Sequence, residues 1–345
     1  MPYCSMSGRA AAAVRGHHDG GEEEEEVRIF YQRYGYGATK VLLIIGFAGT
    51  LESWAPQVKG LTGAVDPFDE EAPADGGGAA EGVEVCCFDN RGVGRSSVPT
   101  SKSQYTTAIM ATDALALMDH LGWQSANVFG HSMGSMIASK LAAMAPERVA
   151  SLALLNTTGG GYQCIPKEYV KGLSSGGMQS RHGFEGQLNA CWTHKLSPKE
   201  LDRIRSAGFL VLVLHGRYDV VAQLYHARRL AEKLQPAAKM VELHGGHLVS
   251  HERPAEVNMS LMELIKASKS NMDLTEWSNF PKVSDGGCLG RRDGNSVNYL
   301  ILTYNLLGKL QLVLLFFFGM FYVILEHTRR VIRVLKPDKV SASTI

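Results

Sequence analysis

A serine, an aspartate and a histidine stand in this chain where, brought together, they could attack a carbonyl carbon and move the proton that the attack releases. The serine is Ser132, within Gly130-His131-Ser132-Met133-Gly134. The short apolar segment Ala126–Phe129 precedes it, and the helix-forming run Ser135–Met144 follows. Strand, sharp turn and helix in that order expose a serine oxygen at a helix N-terminus, and small flanking residues let the turn close. The pentapeptide alone is a weak signal, and a plain glycine-rich turn is the competing reading. A serine hydroxyl is a poor nucleophile, so a base must take its proton and an acid must orient that base. His247, after Gly245-Gly246, is the candidate base, and Asp219, closing His215-Gly216-Arg217-Tyr218-Asp219, the candidate acid. His251 competes as the base, but it opens the Glu252-Arg253-Pro254 helix start; Asp219 could instead serve as a helix N-cap. His131 and His215 read as packed beside turns. The oxyanion formed during attack needs free N–H donors, and the backbone amides of Met133 and of Phe47, in Gly46-Phe47-Ala48-Gly49-Thr50, are placed to supply them.

These residues need a frame. Lys40–Ile45, Val83–Phe88, Val149–Leu155 and Phe209–Leu214 are near-continuous apolar runs, the pattern of strands covered on both faces. Val27–Tyr31 and Lys239–Leu243 complete the set, and Thr106–Leu121, Ala222–Leu234 and Pro254–Ala267 read as helices between or after them. Strands alternating with helices predict an α/β fold with a mostly parallel sheet flanked by helices. In such a sheet the strands' carboxyl ends share one edge, and Ser132, Asp219 and His247 each fall just beyond a strand. Asp89–Ser96 carries tempting charged groups but reads as a turn locked by side-chain hydrogen bonds. The alternation breaks from Asn156 to Ala207, which predicts a short, glycine-rich lid at about 157–207, with helical candidates near Lys167–Leu173 and Ser197–Ser206.

The chain has 345 residues, 45% hydrophobic and 20% charged, with a formal net charge of +1. That charge, without a basic stripe in the globular part, argues against a nucleic-acid partner. The six cysteines have no zinc-like spacing, and neighbouring Cys86 and Cys87 on one strand should face opposite sides, so reduced apolar fillers are expected. The pattern calls for neither a metal nor a cofactor. Residues 1–26, ending in Glu22–Glu26, read as a disordered acidic tail, and Met1–Gly21 lacks the apolar core of a secretory signal. A globular α/β domain is expected at 27–268, a polar linker at 269–298 and a basic tail at 328–345.

Taken together, Gly46-Phe47-Ala48-Gly49, Asp89–Ser96, Gly130–Gly134, His215–Asp219 and Gly246-His247 resemble the α/β-hydrolase superfamily over roughly 27–267. The likeness is greatest to a plant branch with a hydrophobic C-terminal segment, whose members are described as esterases or lipases. The resemblance implies a serine hydrolase with Ser132, Asp219 and His247 as triad. Two departures stand out: Ile45 replaces the family's usual histidine before the oxyanion glycine, and the lid is shorter than in relatives.

Residues 299–327 are dense in Leu, Phe, Val and Ile. Within them 306–325, about 20 residues, would make roughly 30 Å of helix, enough for one bilayer crossing. Arg329, Arg330, Arg333, Lys336 and Lys339 follow, and the positive-inside rule would place them in the cytosol. With the hydrolase domain also cytosolic, at an endoplasmic-reticulum or lipid-droplet surface, a re-entrant or interfacial segment fits better than a single crossing; the alternative is a tail anchor that places only the short C-terminus across the membrane. The expected activity is hydrolysis of carboxylic esters, with lipid-like ones such as acylglycerol or lysophospholipid as the expected substrates. Rival readings are a ligand-binding receptor or scaffold with little turnover, and other chemistry of the same triad, such as C–C bond hydrolysis or cofactor-free haloperoxidase activity. Oligomeric state is left open.

Overall fold

In a computed structural model of the chain, the described residues are 2–6, 26–67, 82–161 and 179–279. The chain divides into two compact units, Met1–Lys282 and Val283–Ile345. The second unit, and with it the apolar segment 299–327, lies outside the described residues, as does the helical candidate 167–173. Among the described residues no helix is long and apolar enough to cross a membrane.

The strands are β1 (Tyr3–Ser5), β2 (Arg28–Tyr34), β3 (Thr39–Ile44), β4 (Val83–Phe88), β5 (Ala126–His131), β6 (Val149–Leu155), β7 (Leu210–Gly216) and β8 (Ala238–Leu243). They form one sheet in the order β1-β2-β4-β3-β5-β6-β7-β8. β1 and β2 run antiparallel to their neighbours, and every pairing from β4 to β8 is parallel. The chain leaves β3 toward one side, to β4, and then returns to β5 on the other. β3 and β5 are therefore adjacent strands whose outgoing loops diverge, the topology that opens a crevice at the strands' carboxyl ends.

Burial follows the expected pattern, with β5 and β7 buried along their full length. One face is covered by α2 (Thr107–His120), α3 (Met133–Met144) and α6 (Leu224–Lys233), through Met110, Leu117, Ile137, Leu141 and Ala227. The other is covered by α1 (Ala55–Thr62), α8 (Pro254–Lys269) and α9 (Leu274–Asn279), through Val58, Leu61, Leu261, Leu264 and Trp277. Cys86 joins the first core and its neighbour Cys87 the second, as strand alternation dictates. Local signals set helix ends: the Thr106 hydroxyl accepts from the Ile109 amide, and Gly122, just past α2, takes a left-handed φ of 68°.

Two expected boundaries shift. Tyr3–Ser5, inside the stretch read as a disordered tail, is a strand that pairs with β2, with Cys4 opposite Ile29 and both buried. Three residues are too few to register as a periodic pattern. Leu274–Asn279, read as linker, is a helix whose fully buried Trp277 donates its indole N–H to Val211 O at 2.8 Å. One large side chain makes that segment part of the core.

Candidate active site

The turn after β5 is strained in the way the pentapeptide requires. Ser132 has φ 55° and ψ −118°, a conformation that costs an L-residue energy and persists only when its surroundings over-determine it. Its amide donates to Leu155 O at 2.9 Å, and the Ser135 hydroxyl shares its one proton between Gly130 O and Leu155 O, at 2.7 and 2.8 Å. The two glycines are there for space. A Cβ on Gly130 would lie 2.3 Å from Gly134 O, and one on Gly134 would lie 2.0 Å from Ile44 O. Only bare backbones fit where α3 starts against β3 and β5.

The three candidate residues are brought together. His247 Nε2 lies 2.9 Å from Ser132 Oγ, and His247 Nδ1 lies 2.8 Å from Asp219 Oδ2. Asp219 is buried, and its other oxygen, Oδ1, accepts from the amides of Val221 and Ala222 at 2.8 Å each. Burial pushes the Asp219 carboxyl up, but its hydrogen bond and charge interaction with His247, and hydrogen bonds from Asn156 and Ala222, outweigh burial and hold it below its ordinary value. The carboxylate is therefore charged when an imidazolium would form beside it. Such a relay can draw the serine proton onto Nε2 while the acid fixes the ring through Nδ1.

The corner for an oxyanion lies between β3 and β5. Gly46 approaches Ser132 so closely that a Cβ there would sit 3.0 Å from Ser132 Cβ. The Met133 amide is the first of α3, where no intrahelical acceptor exists. The Phe47 amide has no hydrogen-bond partner among the described residues. The loop carrying Phe47 is held from several sides. Asn90 Nδ2 donates to Ile45 O at 2.8 Å, Asp89 Oδ1 accepts from the Leu51 amide at 2.8 Å, and Asp89 Oδ2 accepts from the Arg95 amide at 2.9 Å. Arg91 is locked into Asp113 by two 2.6 Å bonds, both partners buried. The Asp89–Ser96 segment is thus a structural brace, as its turn chemistry suggests.

The histidines sort by their contacts. His251, on α7 (Val249–Glu252), is exposed and 3.3 Å from Ser250 Oγ, with no hydrogen bond to Ser132 or Asp219. His131 is buried, and its Nε2 lies 2.8 Å from His247 O, so that nitrogen must carry the proton. Burial, with repulsion from His247, lowers its pKa to about 4, which keeps the ring neutral as a support for the His247 loop. His215 likewise points Nε2 at Ala222 O, at 2.6 Å, beneath Asp219.

Sequence reasoning did not reach three contributors. Asn156, fully buried just past β6 with φ 49°, donates from Nδ2 to Asp219 Oδ2 at 2.6 Å and to Gly246 O at 3.1 Å. An asparagine directly after an apolar strand was the available signal, since asparagine tolerates left-handed backbone. Glu252 Oε2 accepts from the Gly246 amide at 2.7 Å and steadies the His247 loop. Gln187 lies on α4 (Arg181–Thr193), a helix in the lid region that glycines at 183 and 186 disguised as loop. The other described lid helix, α5 (Pro198–Ser206), matches expectation and starts with a capping box between Ser197 and Glu200. Residues 162–178 of the expected lid lie outside the described residues. No group of three or more His, Cys, Asp or Glu that could hold a metal is found among the described residues.

The geometry can be set against known proteins. A family model described as alpha/beta hydrolase fold matches residues 40–170, the segment from β3 through the serine turn to the lid. The fold is that of the α/β hydrolases. Among solved structures with this fold, a carboxylesterase study of Nitrososphaera gargenis contains a chain matching 73% of this one and 98% of its own length, with 18% identity and a TM-score of 0.59. Among curated relatives, an acetyltransferase component of an acetoin-cleaving system from Cupriavidus necator is 36% identical over 155 residues, 45% of this chain. This chain spans only 35% of that relative's length. A chain of Mycobacterium tuberculosis named as a non-heme bromoperoxidase is 25% identical over 71% of this chain and all of its own length. The two curated relatives are bacterial, and neither bears on a plant branch.

Proposed function

We propose that this protein is a serine hydrolase that cleaves carboxylic esters through an acyl-enzyme. The observation that carries the reading is the unbroken line Ser132 Oγ–His247 Nε2, 2.9 Å, and His247 Nδ1–Asp219 Oδ2, 2.8 Å, beside the amides of Phe47 and Met133. In this reading His247 takes the Ser132 proton as Oγ bonds to the ester carbon, and the two amides hold the resulting oxyanion. His247 then gives the proton to the departing alcohol. A water molecule, deprotonated by the same imidazole, releases the acid. Serine at the turn, rather than aspartate, favours ester chemistry over epoxide opening or dehalogenation in this fold. The esterase in the name of a solved relative supports the class of substrate.

The finer reading is a lipid-like ester, acylglycerol or lysophospholipid, met at a membrane by a domain anchored through 299–327 and facing the cytosol. The apolar composition of 299–327 supports it. The bromoperoxidase relative, matched over its whole length, favours a second reading, in which the same triad serves a small soluble substrate. A fluorophosphonate probe on full-length protein should label the wild type and leave Ser132→Ala unlabelled; labelling that survives the substitution sinks the assignment of Ser132. A chain-length series of p-nitrophenyl esters then decides between readings, with preference rising toward long acyl chains for a lipid ester and toward acetate for the small one. Recovery of the intact chain, but not a form lacking 299–345, with membranes tests the anchor.

A further inference from the structure

The fully buried side chain of Gln187 joins the lid helix to the loop that carries the oxyanion donor. Its Oε1 accepts from the Ala48 amide at 2.9 Å, and its Nε2 donates to Arg91 O at 3.0 Å. Ala48 is the residue after Phe47 and has φ 56°, a backbone state that needs outside support. On the same helix Phe184 meets the Phe47 ring edge-on, with centroids 5.1 Å apart. The helix reaches this depth because its inner face is bare. A Cβ on Gly183 would lie 1.9 Å from Gly92 O, and one on Gly186 would lie 2.4 Å from the Tyr105 ring. The far end of the bridge is fixed as well, since Arg91 is clamped by buried Asp113.

We propose that Gln187 is a positioning residue for the oxyanion site, so that α4 acts as a strut aiming the Phe47 amide rather than only as a cover for substrate. The Phe47 N–H lies in the Gly46–Phe47 peptide plane, which is hinged at the Phe47 Cα to the plane that carries the Ala48 N–H. Holding the Ala48 N–H and packing the Phe47 ring fix that Cα from two sides and so limit the swing of the Phe47 N–H. An amide that can swing gives up preorganisation, and losing one oxyanion donor outright costs on the order of 10²–10³ in kcat. A donor that is loosened, not removed, should cost roughly 10- to 100-fold.

The inference rests on the serine-hydrolase reading, and its test separates the two. Full-length Gln187→Leu and Gln187→Glu are compared with Asn189→Ala, which loosens the same helix through bonds to Lys102 O and Tyr105 O without touching the oxyanion loop. For Gln187→Leu, kcat on a p-nitrophenyl ester should fall about 10- to 100-fold with KM little changed. The Ki of a trifluoromethyl ketone, which forms a tetrahedral oxyanion on the serine, should rise by the same factor. Gln187→Glu keeps an acceptor for the Ala48 amide and should recover part of the loss, while Asn189→Ala should change thermal stability but not the ketone Ki. Hydrogen exchange in peptides covering 45–51 should quicken in Gln187→Leu, a readout that needs no turnover. A rise in KM matching the loss, an unchanged ketone Ki, or unchanged exchange overturns the strut. A wild type that neither turns over esters nor takes up the fluorophosphonate overturns the hydrolase reading, and the exchange measurement still judges the bridge.

Discussion

At the scale of single residues, the site is governed by what surrounds Asp219 as much as by the three proton-handling groups. Asn156 holds the same oxygen, Oδ2, that receives His247 Nδ1. Replacing Asn156 with alanine removes that donor and puts a residue with no polar compensation into a left-handed conformation. We expect Asn156→Ala to lower kcat about tenfold with KM nearly constant, and to cost ~1–2 kcal/mol of stability, read by steady-state kinetics and urea unfolding. Unchanged kcat would mean that the Val221 and Ala222 amides suffice to orient the carboxylate. Ser132, Asp219 and His247 were legible from sequence as candidates because each follows a strand, and strand ends meet at one edge. Asn156 and Gln187 were not, because their roles depend on partners 63 and 139 positions away. Nothing local marks such a residue.

At the scale of elements, the parallel sheet was readable because strands buried on both faces are written as unbroken apolar runs. The lid was the least readable part, and α4 shows why. Glycine is poor in helix interiors, by about 1 kcal/mol against alanine, so Gly183 and Gly186 argue for loop. The structure reverses the inference, since both sit where a neighbour leaves no room for a side chain. This gives a prediction whose sign discriminates. Propensity alone says Gly183→Ala should stabilise, whereas the 1.9 Å approach to Gly92 O requires the helix or the brace to move. We expect a loss of ~1–3 kcal/mol, seen as a lowered Tm in calorimetry, because overpacking against backbone cannot be relieved by a rotamer change. A raised Tm would show that the contact is looser than the backbone positions imply.

At the scale of the whole molecule, several buried histidines make stability depend on pH in a definite direction. Burial, with coupling to His247, lowers His131 to about 4, and burial lowers His194, bonded to Thr107 Oγ1 at 2.9 Å, to about 3. Their ordinary value is 6.5, so as pH falls below that the unfolded chain takes up protons that the native state refuses. Stability is therefore complete above pH 6.5 and declines toward about 4, by up to ~1.4 kcal/mol per pH unit for each such histidine. Glu200, held at about 2, adds its own acid loss only below its ordinary 4.5, which leaves an upper window where the histidines dominate. Urea midpoints measured between pH 7 and 5 should fall, and His194→Gln should flatten the slope by one proton; an unaltered slope would place the uptake elsewhere.

Cys86 and Cys87 turn the same sheet into a differential gauge. Both thiols are fully buried, and burial pushes both well above the ordinary range, so neither is a nucleophile while its helices stay in place. One belongs to the layer of α2, α3 and α6, the other to that of α1, α8 and α9. Alkylation of each residue over time, resolved by mass, therefore clocks the opening of one layer against the other. Two adjacent positions in a single strand record whether the helical coats of this protein come off together or one at a time.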